Sequence, residues 1–198
     1  MKLIMLKNKT LSRIKETVYE NAVRLFVDAC CLCEHASYPS SYYLSLISIE
    51  EIGKLHMVDH ICDDIILNKD RRGFLIHLFS RDMFYSHKNK QGWAACEFHS
   101  GIRKQYQKFF RKSIDRRKQR AIYVDYDRKR KKIMTPGYMS RKAVVRALKV
   151  NLHLLREVKD LGYNGFQCIS TAATIRKAEK KYNEALFAFE LCLQRRRV

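Results

Sequence analysis

Little in this chain makes turns. Two prolines and seven glycines among 198 residues leave too little turn chemistry for a many-stranded sheet and favour long helices. No run approaches the roughly 20 apolar residues of a membrane span. The opening Leu3–Leu6 run is too short for the apolar part of a secretion signal. A cytoplasmic protein that does not enter membranes is expected. The seven cysteines (30, 31, 33, 62, 96, 168 and 192) are odd in number, and several fall at apolar helical positions. They read as reduced core thiols, with no metal site and no cofactor. Acid is scarce as well: 20 Asp and Glu stand against 40 Lys and Arg, a formal net charge of +20. That excess argues for a polyanionic partner, most often nucleic acid.

What is present is helical periodicity. The length suits one all-α domain over residues 1–198. Leu11, Ile14, Val18, Ala22, Leu25, Ala29 and Leu32 step by three or four along a first helix. Tyr38-Pro39-Ser40-Ser41 reads as a turn with N-cap candidates for a second helix, Ser40–Asn68, antiparallel to the first. A dense apolar helix follows from Phe74, and another from about Trp93. Ser140 caps a helix stopped by Gly162, and a last helix runs from about Ser170 to Gln194. Between them, at about 111–139, lies a basic, loop-rich elaboration holding Arg116, Arg117, Lys118, Arg120, Arg128, Lys129, Arg130, Lys131 and Lys132. These cations are the expected RNA contacts. The Ala121–Asp127 stretch within it, rich in β-branched and aromatic residues, reads as extended chain or structured loop, because no partner strand is evident.

Three constellations could carry chemistry. On the second helix, wound at about 100° per residue, Glu51 lies on the apolar line of Leu44, Leu55 and Val58, while Glu50 and Lys54 form an i,i+4 pair at one edge. A carboxylate on a buried line is costly unless paired. Glu51 therefore either orders a polar network in the core or faces a cavity or partner, and the segment Arg81–His87 is the expected neighbour. That segment is the second constellation. A neutral histidine serves as general acid or base and an arginine grips a phosphate. The two would suffice for metal-independent RNA cleavage with the RNA 2′-hydroxyl as nucleophile. On one continuous helix they would sit about 120° apart, so they converge only if the helix ends between them or across a two-fold interface. The third, His56-x3-His60 with Asp59, Asp63 and Asp64, reads as a solvated face rather than a metal site.

Taken together, NAVRLFVDACCL (21–32), YYLSLISIEEIGK (42–54), the His87-x2-Lys90 pair and IYVDYD (122–127) resemble the AbiV family of bacterial abortive-infection proteins, within the HEPN superfamily. The resemblance implies a HEPN-like bundle of about five to six helices, usually dimeric, acting in phage defence. It implies that Arg81 and His87 are the cleavage pair, with Asp82 as the polar residue of the motif, and that Glu51, Lys54 and Lys90 support the site. The expected function is an effector that blocks translation by cutting RNA. The alternative is a non-catalytic effector that occupies RNA, a ribosome or a phage protein. A phage protein as trigger and a homodimer are the remaining expected partners. A third option is a structural partner whose charge is neutralised by an acidic protein.

Overall fold

The computed structural model describes residues 8–67, 86–96, 118, 121, 125–127, 131–134, 139–165 and 172–194. These form α1 (Asn8–Glu34), α2 (Tyr38–Leu67), α3 (His87–Cys96), a hairpin of β1 (Asp125–Asp127) and β2 (Lys132–Met134), α4 (Arg141–Gly165) and α5 (Ala172–Gln194). The fold is an all-α bundle, as the scarcity of turn residues dictates. The helix expected from Phe74, and the part beyond Cys96 of the one expected from about Trp93, lie outside the described residues.

Helix α1 buries Ala22, Leu25 and Ala29 of the expected seam, together with Tyr19, Phe26 and Cys33, and leaves Ile14, Val18 and Leu32 half-buried. It ends at a tight link. Ser37 N–H donates to the Leu32 carbonyl at 2.9 Å and Ala36 N–H to that of Cys33 at 3.2 Å. Ala36 takes a left-handed conformation, φ 59°. This is a Schellman stop with alanine where glycine is usual. Tyr38-Pro39-Ser40-Ser41 is not a turn: the helix already begins at Tyr38, and Pro39 fits a first turn, where a missing N–H costs nothing. The Ser41 hydroxyl instead crosses to α1 and donates to the Ala29 carbonyl at 2.6 Å; Ser48 does the same to Ala22 at 2.6 Å. Small residues on both sides let the antiparallel backbones approach this closely.

Helix α2 is the centre of the bundle, with α1, α3 and α4 packed around it. From Ser48 to Gly53 every residue is buried, so no outward face exists and the single apolar stripe of the sequence reading does not apply. Asn151 of α4 donates its amide to the Ser45 carbonyl at 2.9 Å, and its Oδ1 lies 3.2 Å from the Ser48 hydroxyl. Three helices thus share one fully buried polar node, each bond contributing about 1 kcal/mol. Helix α5 closes the bundle, running parallel to α1, with Phe189 against Phe26 (ring centroids 6.3 Å apart) and Lys177 between Glu16 and Glu20 at 2.6 and 2.7 Å. It meets α4 antiparallel, through Lys159 over the Tyr182 ring and Arg141 on the Cys192 carbonyl.

Two further expectations are corrected. Helix α4 continues through Gly162 to Gly165, so Gly162 is not its stop. The segment around Asp125 does find a partner strand: Asp125 pairs with Met134, Tyr126 with Ile133 and Asp127 with Lys132, antiparallel. Lys131 closes the turn at φ 50°, a conformation that hairpin loops of this length use.

Candidate functional site

The site forms where α3 crosses α2. Ser86 caps α3: its hydroxyl accepts the Asn89 N–H at 3.3 Å and its carbonyl the Lys90 N–H at 3.1 Å. The helix therefore starts at His87 rather than at about Trp93, and no helix runs unbroken through Ser86. His87, Lys90 and Gln91 then stand at i, i+3 and i+4, on one face.

That face is held against α2 by the absence of a side chain. A Cβ placed on Gly53 would lie 2.7 Å from the Lys90 carbonyl carbon and closer still to its oxygen. No neighbour can yield there, since the obstructing atoms are backbone. Gly53 is thus what permits the crossing.

The carboxylate that α3 reaches is Glu50. Its Oε2 lies 2.6 Å from His87 Nδ1 and 3.7 Å from Lys90 Nζ; its Oε1 accepts from Gln91 Nε2 and Lys118 Nζ, both at 2.8 Å. Glu50 is 1% exposed and Lys118 7%, whereas the His87 side chain is 58% exposed. Lys118 also stands 5.6 Å over the Tyr43 ring. Burial pushes the Glu50 carboxyl up, but the hydrogen bonds from Lys118, His87 and Gln91 outweigh it and hold the group below its ordinary value. Burial likewise lowers the Lys90 ammonium; Glu50 opposes this and the neighbouring Lys54 and Lys118 cations reinforce it.

Lys118 Nζ is also 3.0 Å from His87 Nδ1, but the shorter contact to the Glu50 carboxylate decides the tautomer. If Nδ1 lacked a proton, its lone pair would face the Glu50 carboxylate at 2.6 Å. With Nδ1 protonated, His87 donates to Oε2, Lys118 donates to Oε1, and both carboxylate oxygens are satisfied. Nε2 is then the basic nitrogen of a ring open to solvent, as general acid–base chemistry requires.

Glu51 is buried, like the rest of Ser48–Gly53, and meets its own helix: Lys54 Nζ lies 2.5 Å from its Oε1. Contact with His87 belongs to Glu50, which the sequence reading left at the edge as a partner of Lys54. Lys90 stands beside Glu50. Lys118, expected among the basic RNA contacts, is a buried partner of Glu50. Of the remaining basic set, Lys131 is exposed and Lys132 lies within β2. Arg81, Asp82, Arg116, Arg117, Arg120, Arg128, Lys129 and Arg130 lie outside the described residues. His56, read as part of a solvated face, is half-buried, and its burial lowers the imidazole to about 4. Among the described residues no three His, Cys, Asp or Glu side chains are grouped to hold a metal ion, and no helix is long and apolar enough to cross a membrane.

No curated protein and no solved structure matches this chain. A family model described as AbiV does match, over residues 10–156. It spans α1 to most of α4 and so includes Glu50, Gly53, His87, Lys90 and Lys118. The chain belongs to the AbiV family of HEPN-type abortive-infection proteins.

Proposed function

We propose that the protein is a metal-independent endoribonuclease that stops translation during phage infection, with His87 as the group that exchanges protons. The observation that carries this reading is the buried Glu50 bonded to Nδ1 of an exposed imidazole. Glu50 fixes the tautomer and offsets the charge of an imidazolium formed at Nε2 when the RNA 2′-hydroxyl is deprotonated. Lys118 and Gln91 hold Glu50 in place. Around this carboxylate the cations Lys90 and Lys118 outnumber the anion, an electrostatic setting that suits a phosphodiester. Arg81 supplies the phosphate grip, from the same subunit or from a second copy of the chain in a homodimer.

The test is cleavage of single-stranded RNA in EDTA by wild type, His87→Ala, Arg81→Ala and Glu50→Gln. Loss of about 100-fold or more in His87→Ala, within the usual range for one acid–base group, is expected, with Glu50→Gln intermediate. Undiminished cleavage by both His87→Ala and Arg81→Ala removes these residues from the mechanism. If His87→Ala still protects cells from phage, action by occupancy replaces action by cleavage.

A further inference from the structure

Helix α4 has two opposed faces. Val144, Ala147, Leu148, Asn151, Leu154, Leu155 and Val158 are buried. On the other side Lys142, Arg146 and Lys149 are exposed and fall within roughly 40° of one line. Acidic partners on α4 appear only towards its end, where Glu157 meets His153 at 3.1 Å and Asp160 meets Arg156 at 3.5 Å. Its first turn holds no acid, and among the described residues none of the three cations has an ion-pair partner. The cap is the neutral Ser140. Cations in a first turn oppose the helix dipole, which favours anions there, so helix stability does not account for Lys142.

The row advances about 10 Å along the axis, with a charge every 5–6 Å or so. A linear track of this kind suits a charged polymer better than a compact acidic group. Its surroundings argue against a lipid surface. A helix lying in a membrane interface needs an exposed apolar face, whereas the apolar face of α4 is in the core. The large hydrophobics exposed among the described residues, Phe187 and Leu191, are on α5.

We propose that Lys142, Arg146 and Lys149 form a track for the phosphate backbone of single-stranded RNA, separate from the Glu50–His87 site. The inference rests on the reading of RNA as substrate. The experiment is binding of a fluorescently labelled, unstructured polyuridylate strand across a series of salt concentrations. It is run in a His87→Ala background so that the strand stays intact. The variant K142Q/R146Q/K149Q should bind about tenfold more weakly at moderate salt, with the slope of log affinity against log salt reduced by about two, as expected for three lost contacts to a single strand. The control R13Q/R24Q/K180Q, which removes three exposed cations on α1 and α5, should keep most of the affinity. An unchanged slope in the first variant overturns the track while leaving RNA as substrate. Equal losses in both variants also overturn it, in favour of diffuse attraction by net charge. A parent protein that binds no RNA at any salt overturns both readings. Binding to anionic phospholipid vesicles in preference to RNA, lost in the same variant, makes the partner a lipid and overturns the proposal.

Discussion

Glu50 and His87, 37 residues apart in sequence, meet at 2.6 Å with the carboxylate buried and the imidazole open to solvent. Removing the carboxylate strands Lys118 and Lys90 as buried cations. Glu50→Ala should therefore cost about 3–5 kcal/mol, the usual penalty for breaking a buried pair. Pairing Glu50→Gln with Lys118→Met should be less damaging than the two single changes summed. Urea denaturation of the four proteins in a double-mutant cycle measures this, and strict additivity would show that the two residues are not coupled.

Gly53 gives a prediction opposite to helix propensity. In an exposed helix Gly→Ala stabilises by about 1 kcal/mol. Here the added methyl meets the Lys90 backbone, so Gly53→Ala should destabilise by about 1–3 kcal/mol and lower cleavage as α3 is displaced. A gain in melting temperature would mean that the helices do not approach this closely.

At Ala36 the sign is the reverse. An L-residue held at φ 59° carries a steric cost of about 1 kcal/mol that glycine lacks. Ala36→Gly should raise stability by several tenths of a kcal/mol to about 1 kcal/mol, read as a shift in the denaturation midpoint at constant slope.

The pH dependence of stability should separate two groups. The folded His56 imidazole titrates near 4, against 6.5 for the free side chain. The unfolded chain therefore takes up the proton first, and stability climbs as pH rises from about 4 to 6.5. At 1.36 kcal/mol per pKa unit the difference is at most about 3–4 kcal/mol. Glu50, with its folded value below 4.5, contributes stability above that pH and loses it as pH falls through the folded value. Denaturation midpoints of His56→Gln should lack the climb between pH 4 and 6.5 yet keep the loss below 4.5. A climb that persists in the variant would assign it to another group.

Elements with one buried face were legible in the sequence. The α1 seam and the inner row of α4 both follow a three-or-four spacing because each packs on one side only. Helix α2 defeated the same reasoning. It is enclosed by α1, α3 and α4, so its serines, its carboxylates and Gly53 are buried alongside Ile49 and Ile52, and hydrophobicity assigns no direction to any of them. Glu50 was misplaced for that reason. Its partners Gln91 and Lys118 lie 41 and 68 residues away, beyond what local spacing can relate. The one readable clue was Gly53, whose helix-weakening presence in mid-α2 called for a close backbone approach. The hairpin was missed because three-residue strands are too short to show alternation.

His87, Lys90 and Gln91 reach Glu50 from a single stretch of α3, whose seat is the bare backbone of Gly53. A small outward movement of that helix would lengthen all three contacts in one step, and no side chain could compensate for another. Assembly of the Glu50–His87 pair is therefore all-or-none. Whatever seats or unseats α3 sets the fraction of molecules in which the pair is made, without altering the pair itself.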